Sequence, residues 1–158
     1  MKEPELYNQV DDLDQESRYL IHKAKEAASH AHASYSKFCV GAALMLEDGT
    51  VITGANYENA SYPLSMCAER VALYAAAAQH PDKRITKLVV VAKKKGGKEL
   101  LPATSCGGCR QVMLEFEGNQ KRPFAVVMQT EDHKWIILPS AQALLPYAFS
   151  RHNVEGAK

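Results

Sequence analysis

C-A-E-R at residues 67–70 and C-G-G-C-R at residues 106–110 enclose the part of the chain that decides its fold. Between them lies the most apolar run of the sequence, residues 85–93, which predicts a strand at the buried centre of a sheet. Helical patterns over residues 66–80 and from residue 106 to about 118 flank this strand. The region therefore predicts an α/β fold in which both cysteine segments stand at the start of a helix.

The cysteines follow the spacing C-x-E, a gap of thirty-six residues, then C-x-x-C. Cys67, Cys106 and Cys109 supply three thiolates for one tetrahedral ion, and no fourth Cys or His follows nearby. Structural zinc sites usually have four protein ligands, whereas catalytic sites keep one position for water. A lone C-x-x-C also occurs in zinc knuckles and redox motifs, which remain the alternatives. We predict a catalytic site with one Zn²⁺ per chain.

Two charged residues next to Cys67 suit such a site. Glu69 is placed to act as a general acid and base beside the metal rather than as a ligand. Three thiolates on Zn²⁺ leave a formal charge of −1, which weakens the ability of the metal to acidify water. Arg70, three residues after Cys67 on the same helix face, can donate hydrogen bonds to sulfur and offset that charge. The alternative for Arg70 is an ordinary surface arginine.

Flanking patterns extend this unit to a five-stranded mixed sheet between helices. Three residues separate the last two predicted strands, and because parallel neighbours need a much longer connection, these strands must pair antiparallel if they are adjacent. Residues 1–12 are predicted to be a loosely ordered lead-in, and the tail after Pro146 to be irregular. The predicted strands span residues 38–46, 51–53, 85–93, 124–130 and 134–138, and further helices span residues 14–32 and 141–145.

The amino-acid composition limits the classes of protein to which the chain can belong. The 158 residues carry a formal net charge of +1 and 46% hydrophobic residues, typical of one globular domain covering residues 1–158. There is no basic field to hold a nucleic-acid backbone, and the apolar stretches are too short or too charged to span a membrane. The acidic, polar N-terminus is unlike a signal peptide, so we expect a cytoplasmic protein with reduced thiols. Cys39, in a predicted strand, is interpreted as a small buried hydrophobe.

Five sequence segments occur in a fixed order along the chain. They are Y-S-x-F-x-V-G at residues 35–41, N-x-E-N-A-x-Y at 56–62, C-A-E-R at 67–70, C-G-G-C-R-Q-V at 106–112, and L-L-P-x-x-F at 144–149. Each segment alone could be chance, but the five together are specific. In this combination the chain resembles the small cytidine deaminases, and the match extends from about Asp14 to Phe149.

The resemblance implies a three-layer α/β/α sandwich around a five-stranded mixed sheet with the last two strands antiparallel. It also implies zinc held by the three cysteines, and hydrolytic deamination of cytidine and 2′-deoxycytidine with release of ammonia, in pyrimidine salvage. Phe38 would pack on the pyrimidine, Asn56 and Glu58 would bind the ribose hydroxyls, and the main chain at Ala68 and Thr104 would contact the base. A neutral and acidic pair such as Asn56 and Glu58 suits sugar hydroxyls better than phosphate.

A homotetramer is implied as well, in which Ala60, Tyr62 and Phe149 contact substrate bound mainly by another subunit. Two alternatives stay open: a blasticidin-type or other modified aminopyrimidine nucleoside deaminase, and a zinc-stabilised nucleoside-binding protein without turnover. The chain departs from the family pattern in its last residues and at Ser105, where proline is usual. We expect the Ser105 hydroxyl to cap the third helix, which would make serine and proline interchangeable there.

Overall fold

A computed structural model describes residues 3–156 of the chain. Its elements agree closely with the predicted order of helices and strands. The strands are β1 (Glu5–Tyr7), β2 (Phe38–Leu46), β3 (Val51–Ala55), β4 (Ile85–Lys94), β5 (Ala125–Gln129) and β6 (Trp135–Leu138). The α-helices are α1 (Gln15–Ala28), α2 (Ala68–Gln79), α3 (Gly107–Gln120) and α4 (Arg151–Glu155). Short 3₁₀ turns cover Val10–Asp12, Tyr62–Leu64 and Ala141–Leu144.

The strands form one mixed sheet in the order β1-β6-β5-β4-β2-β3. Only β4 and β5 pair in parallel among the described strands. The antiparallel pairing of β5 with β6 confirms the prediction from their short link. The sheet has six strands rather than the predicted five, because Glu5–Tyr7 pairs antiparallel with β6. The expectation of a loose lead-in is therefore wrong from Glu5 onward, while residues 1 and 2 lie outside the described part of the chain.

Successive side chains of the central strands point to opposite faces of the sheet, so they contribute to two apolar layers. Leu44, Leu88 and Val90 pack against α2 and α3, whereas Ala43 and Val89 pack against α1 on the opposite face. The sheet is thus covered on both sides, which confirms the three-layer α/β/α arrangement. The N-termini of α2 and α3 meet on the first of these faces.

A glycine sets how closely α2 approaches the sheet. A Cβ atom at Gly54 in β3 would lie 2.5 Å from the carbonyl oxygen of Ala68 and 2.6 Å from the backbone nitrogen of Ala72. Neither backbone atom can move without moving the helix. Gly54 therefore permits the contact that fixes the first turn of α2, which follows Cys67 directly.

The two ends of the described chain are more regular than expected. Asp14 is the N-cap of α1, as predicted, and its side chain accepts a hydrogen bond from the Ser17 backbone N–H. The tail contains the helix α4 where an irregular segment was expected, and a capping box between Ser150 and Asn153 begins it. None of the helices in residues 3–156 is both long and apolar enough to cross a lipid bilayer.

Candidate active site

The three predicted metal ligands converge at the N-termini of α2 and α3. Cys67 is the N-cap of α2 and Cys106 is the N-cap of α3, so each lies one residue before the helix rather than within it. Cys109 stands one turn further into α3 and is fully buried. The Sγ atoms of Cys67 and Cys106 are 3.8 Å apart, and those of Cys106 and Cys109 are 3.5 Å apart.

This geometry fits a tetrahedral zinc ion. Zn–S bonds of ~2.3 Å at tetrahedral angles place neighbouring sulfurs about 3.8 Å apart. All three Sγ atoms lie within 4.8 Å of one another, and within residues 3–156 no other His, Cys, Asp or Glu joins the cluster. The residues present are therefore those of a three-cysteine site with one position left for a non-protein ligand.

Arg70 faces this cluster from the first turn of α2. Its Nη2 atom donates to the Cys67 Sγ at 3.4 Å. The hydrogen bond from Cys109 lowers the pKa of Cys67 most; burial opposes it, and Arg70 adds to the lowering, so the pKa falls to about 5. The bond with Cys67, together with burial, raises the pKa of Cys109. The first thiolate thus forms readily beside the guanidinium.

Glu69 also lies in the first turn of α2 and is only 4% exposed. Burial raises the pKa of its carboxyl, and the negative charge of the nearby Cys67 thiolate raises it further. A desolvated carboxyl beside an open metal position can exchange protons with whatever occupies that position.

Glu69 and two of the cysteines open into a cavity of about 270 Å³. This volume is near the lower end of the range for small-molecule sites. The cavity is lined by Phe38, Val40, Asn56, Glu58, Ser65, Met66, Cys67, Glu69, Val90, Ala103, Thr104 and Cys106. A larger cleft of about 1030 Å³ lies along α3 near Glu117 and Arg151, but it contains none of the thiols. We therefore place the chemistry in the smaller cavity.

Asn56 and Glu58 enter the cavity from the segment after β3. The Asn56 Oδ1 accepts from the Val40 N–H at 2.8 Å, and its Nδ2 donates to the Phe38 carbonyl at 3.0 Å. The Glu58 carboxylate accepts from the backbone N–H groups of Tyr35 and Ser36 at 3.2 Å. Burial would raise the pKa of Glu58, but these backbone hydrogen bonds outweigh it, so the pKa is lowered. Both side chains are held in fixed orientations before any ligand binds.

Comparison with known proteins agrees with this site. The sequence profile of the family described as "Cytidine and deoxycytidylate deaminase zinc-binding region" matches residues 14–126. The chain belongs to this family. Cytidine deaminase from Sporosarcina psychrophila is 36% identical over 138 residues, which cover 87% of this chain and 94% of that protein. Cytidine deaminase from Halalkalibacterium halodurans is 47% identical over 97 residues, covering 61% of this chain and 69% of that protein.

Solved structures give the same result for the fold. The crystal structure of cytidine deaminase from Burkholderia pseudomallei matches with a TM-score of 0.69 and 40% identity, over 87% of this chain and all of that one. The structure of cytidine deaminase from Mycobacterium tuberculosis matches with a TM-score of 0.65 and 34% identity, over 88% of this chain and 99% of that one. The cytidine deaminase-like fold predicted from the sequence is thereby confirmed.

Four of the remaining predicted contact residues lie outside the lining of the cavity. Ala60, Tyr62 and Phe149 are exposed on the surface of the chain, where Tyr62 makes an edge contact with Tyr35. Ala68 is fully buried under β3. Their predicted contacts with substrate remain predictions.

The expectation for Ser105 is wrong. Cys106, not Ser105, is the N-cap of α3, and the Cys106 Sγ accepts from the Cys109 N–H at 3.4 Å. The Ser105 side chain is buried, and its hydroxyl has no hydrogen-bond partner among residues 3–156. Ser105 therefore does not compensate for the absent proline by capping the helix.

Sequence reasoning missed several residues of the site. Four residues that belong to no recognised sequence motif also line the cavity: Ser65, Met66, Val90 and Ala103. Val90 could have been found, because it alternates with Leu88 on the face of β4 that meets α2 and α3. The other three lie in irregular segments whose positions depend on isolated bridges, such as the Tyr57–Met66 and Ala103–Gln129 pairs.

Proposed function

We propose that this protein is a zinc-dependent hydrolase that converts cytidine and 2′-deoxycytidine to the corresponding uridines and releases ammonia. The observation that carries the proposal is the position of Glu69, whose carboxyl opens into the same 270 Å³ cavity as the thiol cluster. Membership of the deaminase family and close relatives named cytidine deaminase support it.

The chemistry assigns a role to each part of the cavity. Cys67, Cys106 and Cys109 would hold one zinc ion per chain, which would supply a water of lowered pKa as the nucleophile at neutral pH. Glu69 accepts the proton that water loses and delivers it to N3 of the base as the C4–O bond forms. It then takes the proton of the new C4 hydroxyl and passes it to the amino group, so that the C4–N4 bond breaks, the C4 carbonyl forms and ammonia leaves. Arg70 offsets the excess negative charge of the three thiolates.

Substrate recognition is assigned to the walls of the cavity. Phe38 packs on the pyrimidine, and the main chain at Ala68 and Thr104 meets its polar edge. Asn56 and Glu58 bind the ribose hydroxyls. Glu58 is a carboxylate at neutral pH, so it repels a 5′-phosphate and favours a nucleoside over a nucleotide or a nucleic acid.

Loss of ultraviolet absorbance from cytidine, with ammonia measured in parallel, tests this function in the purified zinc-loaded protein. Cytidine, 2′-deoxycytidine, cytidine 5′-monophosphate and blasticidin S are assayed side by side. Turnover of the two nucleosides, with the monophosphate turned over at least tenfold less efficiently, is the expected result. Turnover of blasticidin S alone, or binding of cytidine without ammonia release, would contradict the proposal.

We further propose that residues 1–158 form one domain that acts as a homotetramer in cytoplasmic pyrimidine salvage. A reducing compartment would keep the three thiols available for zinc. The exposed rings of Tyr62 and Phe149, 70% and 64% accessible, are surfaces that a neighbouring subunit could cover. Ala60, Tyr62 and Phe149 would then complete the neighbour's cavity.

Subunit mixing tests the shared site. Glu69→Gln and Phe149→Ala chains, each of low activity alone, are unfolded together, refolded and reloaded with zinc. In a mixed tetramer some cavities receive an intact Glu69 from one chain and an intact Phe149 from another, so activity should recover above the sum of the separate variants. No recovery, or a fully active monomer in sedimentation, would contradict the assembly.

A further inference from the structure

The turn over residues 33–37 leads directly into Phe38, the first residue of β2 and part of the cavity wall. Lys37 in this turn has a φ of 59°, in the left-handed region that residues with a side chain rarely adopt. Its N–H donates to the Ala33 carbonyl at 3.1 Å, and its carbonyl accepts from the Lys95 N–H at 2.8 Å. The backbone of the turn is therefore fixed both within itself and against the segment after β4.

Ser36 in this turn is hydrogen-bonded to two residues of the cavity wall. Its backbone N–H donates to the two carboxylate oxygens of Glu58 at 3.2 and 3.3 Å. Its hydroxyl oxygen accepts from the Phe38 N–H at 3.1 Å. Glu58 and Phe38 both line the cavity, whereas Ser36 lies behind them. One serine thus joins the residue assigned to the ribose with the residue assigned to the base.

The ring of Phe38 depends on its backbone for its direction. Phe38 is 38% exposed, so contacts with other side chains cover the ring only in part. The rotamers open to a side chain are set by the φ and ψ angles of its residue. Side chains hold both polar backbone groups of Phe38, because Ser36 accepts from its N–H and the Asn56 Nδ2 donates to its carbonyl at 3.0 Å. Losing either contact would loosen the attachment of the ring.

We propose that Ser36 is a positioning residue whose hydroxyl holds the backbone of Phe38 and thereby directs the Phe38 ring at the pyrimidine. A serine suits this task because its short side chain reaches the backbone N–H two residues further on, a contact that alanine cannot make. Glu58 holds the backbone of Ser36 in turn. The inference rests on the proposed function, because that function assigns the contact with the pyrimidine to Phe38.

Ser36→Ala in the zinc-loaded protein is the direct test. The KM for cytidine and the inhibition constant of uridine should both rise about 3- to 10-fold, the range that one hydrogen bond contributes. Zinc content should be normal and kcat within about twofold of the wild type, because the ring packs on the base equally in the ground state and the transition state. Ser36→Thr, which keeps the hydroxyl, should recover most of the affinity. A threonine variant as weak as the alanine variant would overturn the inference.

Asp48→Ala provides a matched control at the other end of β2. The Asp48 Oδ1 accepts from the Thr50 N–H at 3.1 Å, which is the same contact with the residue two positions on, but in the turn between β2 and β3. Asp48 also pairs with Lys83 at 3.2 Å. Its replacement should lower the melting temperature and leave the KM unchanged. A Ser36→Ala protein that resembled this control, with reduced stability and a normal KM, would overturn the inference.

A double-mutant cycle tests the dependence on the Phe38 ring. If Ser36 acts through that ring, Ser36→Ala should raise the KM by less than about twofold in a Phe38→Leu background. An increase in that background as large as in the wild type would overturn the inference, as would loss of zinc from Ser36→Ala. These outcomes differ from failure of the proposed function, in which the wild-type protein itself would release no ammonia from cytidine.

Discussion

The start of α1 and the starts of the two cysteine-bearing helices, α2 and α3, differ in how their first backbone N–H groups are capped. Each helix begins with backbone N–H groups that need acceptors. At α1, Asp14 accepts from the backbone and hydroxyl of Ser17 at 2.9 and 2.6 Å and from the Lys87 Nζ at 3.0 Å. Burial would raise the pKa of Asp14, but these hydrogen bonds and the lysine charge lower it to about 2. Asp14 is therefore an N-cap held by several hydrogen bonds.

The starts of α2 and α3 are capped less well. Cys67 makes no side-chain hydrogen bond to the first turn of α2, and Cys106 offers only a thiol at 3.4 Å to the first turn of α3. Arg70 Nε and Ser105 Oγ are buried nearby without partners. A sequence chosen only for stability would place Ser, Thr, Asp or Asn at both caps. The difference indicates that this end of the sheet is arranged for a metal and a substrate rather than for local stability.

Removing a ligand should give the largest effect. Cys109→Ala leaves two thiols, so we expect loss of zinc and of measurable turnover together, because a three-ligand site has no spare donor. Elemental analysis and the cytidine assay measure both properties. Cys39→Ala is the matched control, because Cys39 is equally buried but lies in β2 away from the cluster. Full zinc in the Cys109 variant would contradict its role as a ligand.

Changing the acid and base should give the next largest effect. Glu69→Gln is expected to keep zinc and fold while turnover drops by at least ~10²- to 10⁴-fold, the usual contribution of a positioned proton-transfer group. Glu117→Gln is a control for altering a buried carboxylate, because Glu117 accepts backbone N–H groups of Phe124 and Ala141 and has no place in the cavity. It should lower stability rather than kcat. Near-normal turnover in zinc-replete Glu69→Gln would sink the assignment.

Breaking the well-capped helix start should affect stability alone. Asp14→Ala is expected to lower the free energy of unfolding by ~0.5–2 kcal/mol at pH 7, the usual effect of losing an N-cap, with kcat unchanged. Because the folded pKa of about 2 lies below the ordinary value of 3.8, the ionised Asp14 stabilises the fold above roughly pH 4. That contribution decreases as the pH falls toward 2.

Urea unfolding of wild type and Asp14→Ala at pH 7, 4 and 3 measures this dependence. The difference between the two proteins should shrink as the pH falls. If the difference in the free energy of unfolding did not change with pH, the charge of Asp14 would contribute nothing to stability.

Much of the fold could be predicted because periodicity and spacing are local signals. Phe38–Leu46 is a strand with the predicted bounds, and the short link between β5 and β6 was enough to predict their antiparallel pairing. Asp14 could be predicted as the N-cap of α1 because aspartate is one of the preferred residues at that position. The convergence of three thiols was predictable for a similar reason, since C-x-E followed by C-x-x-C is a pattern that can be found in the sequence itself.

The parts that were not predicted depend on distant partners. Glu5–Tyr7 has no alternating apolar pattern, and it forms a strand only because the edge of β6 is available to pair with it. Ser105 was predicted to cap α3 because it precedes that helix in the sequence, but the N-cap residue is Cys106. The Asn56 side-chain amide hydrogen-bonds the backbone of Val40 and Phe38 in β2, which lie 16 and 18 positions earlier in the chain. No local pattern records such contacts.

The small strand β1 has a consequence for the behaviour of the protein in concentrated solution. Without Glu5–Tyr7, the backbone donors and acceptors of Trp135–Leu138 would form an exposed apolar edge, which is a template for pairing with another molecule. β1 covers that edge with three residues, one of which is the acidic Glu5, and a short charged strand is a poor template in turn. A shortened form of the chain that begins after Tyr7 could retain the whole catalytic cavity and still aggregate.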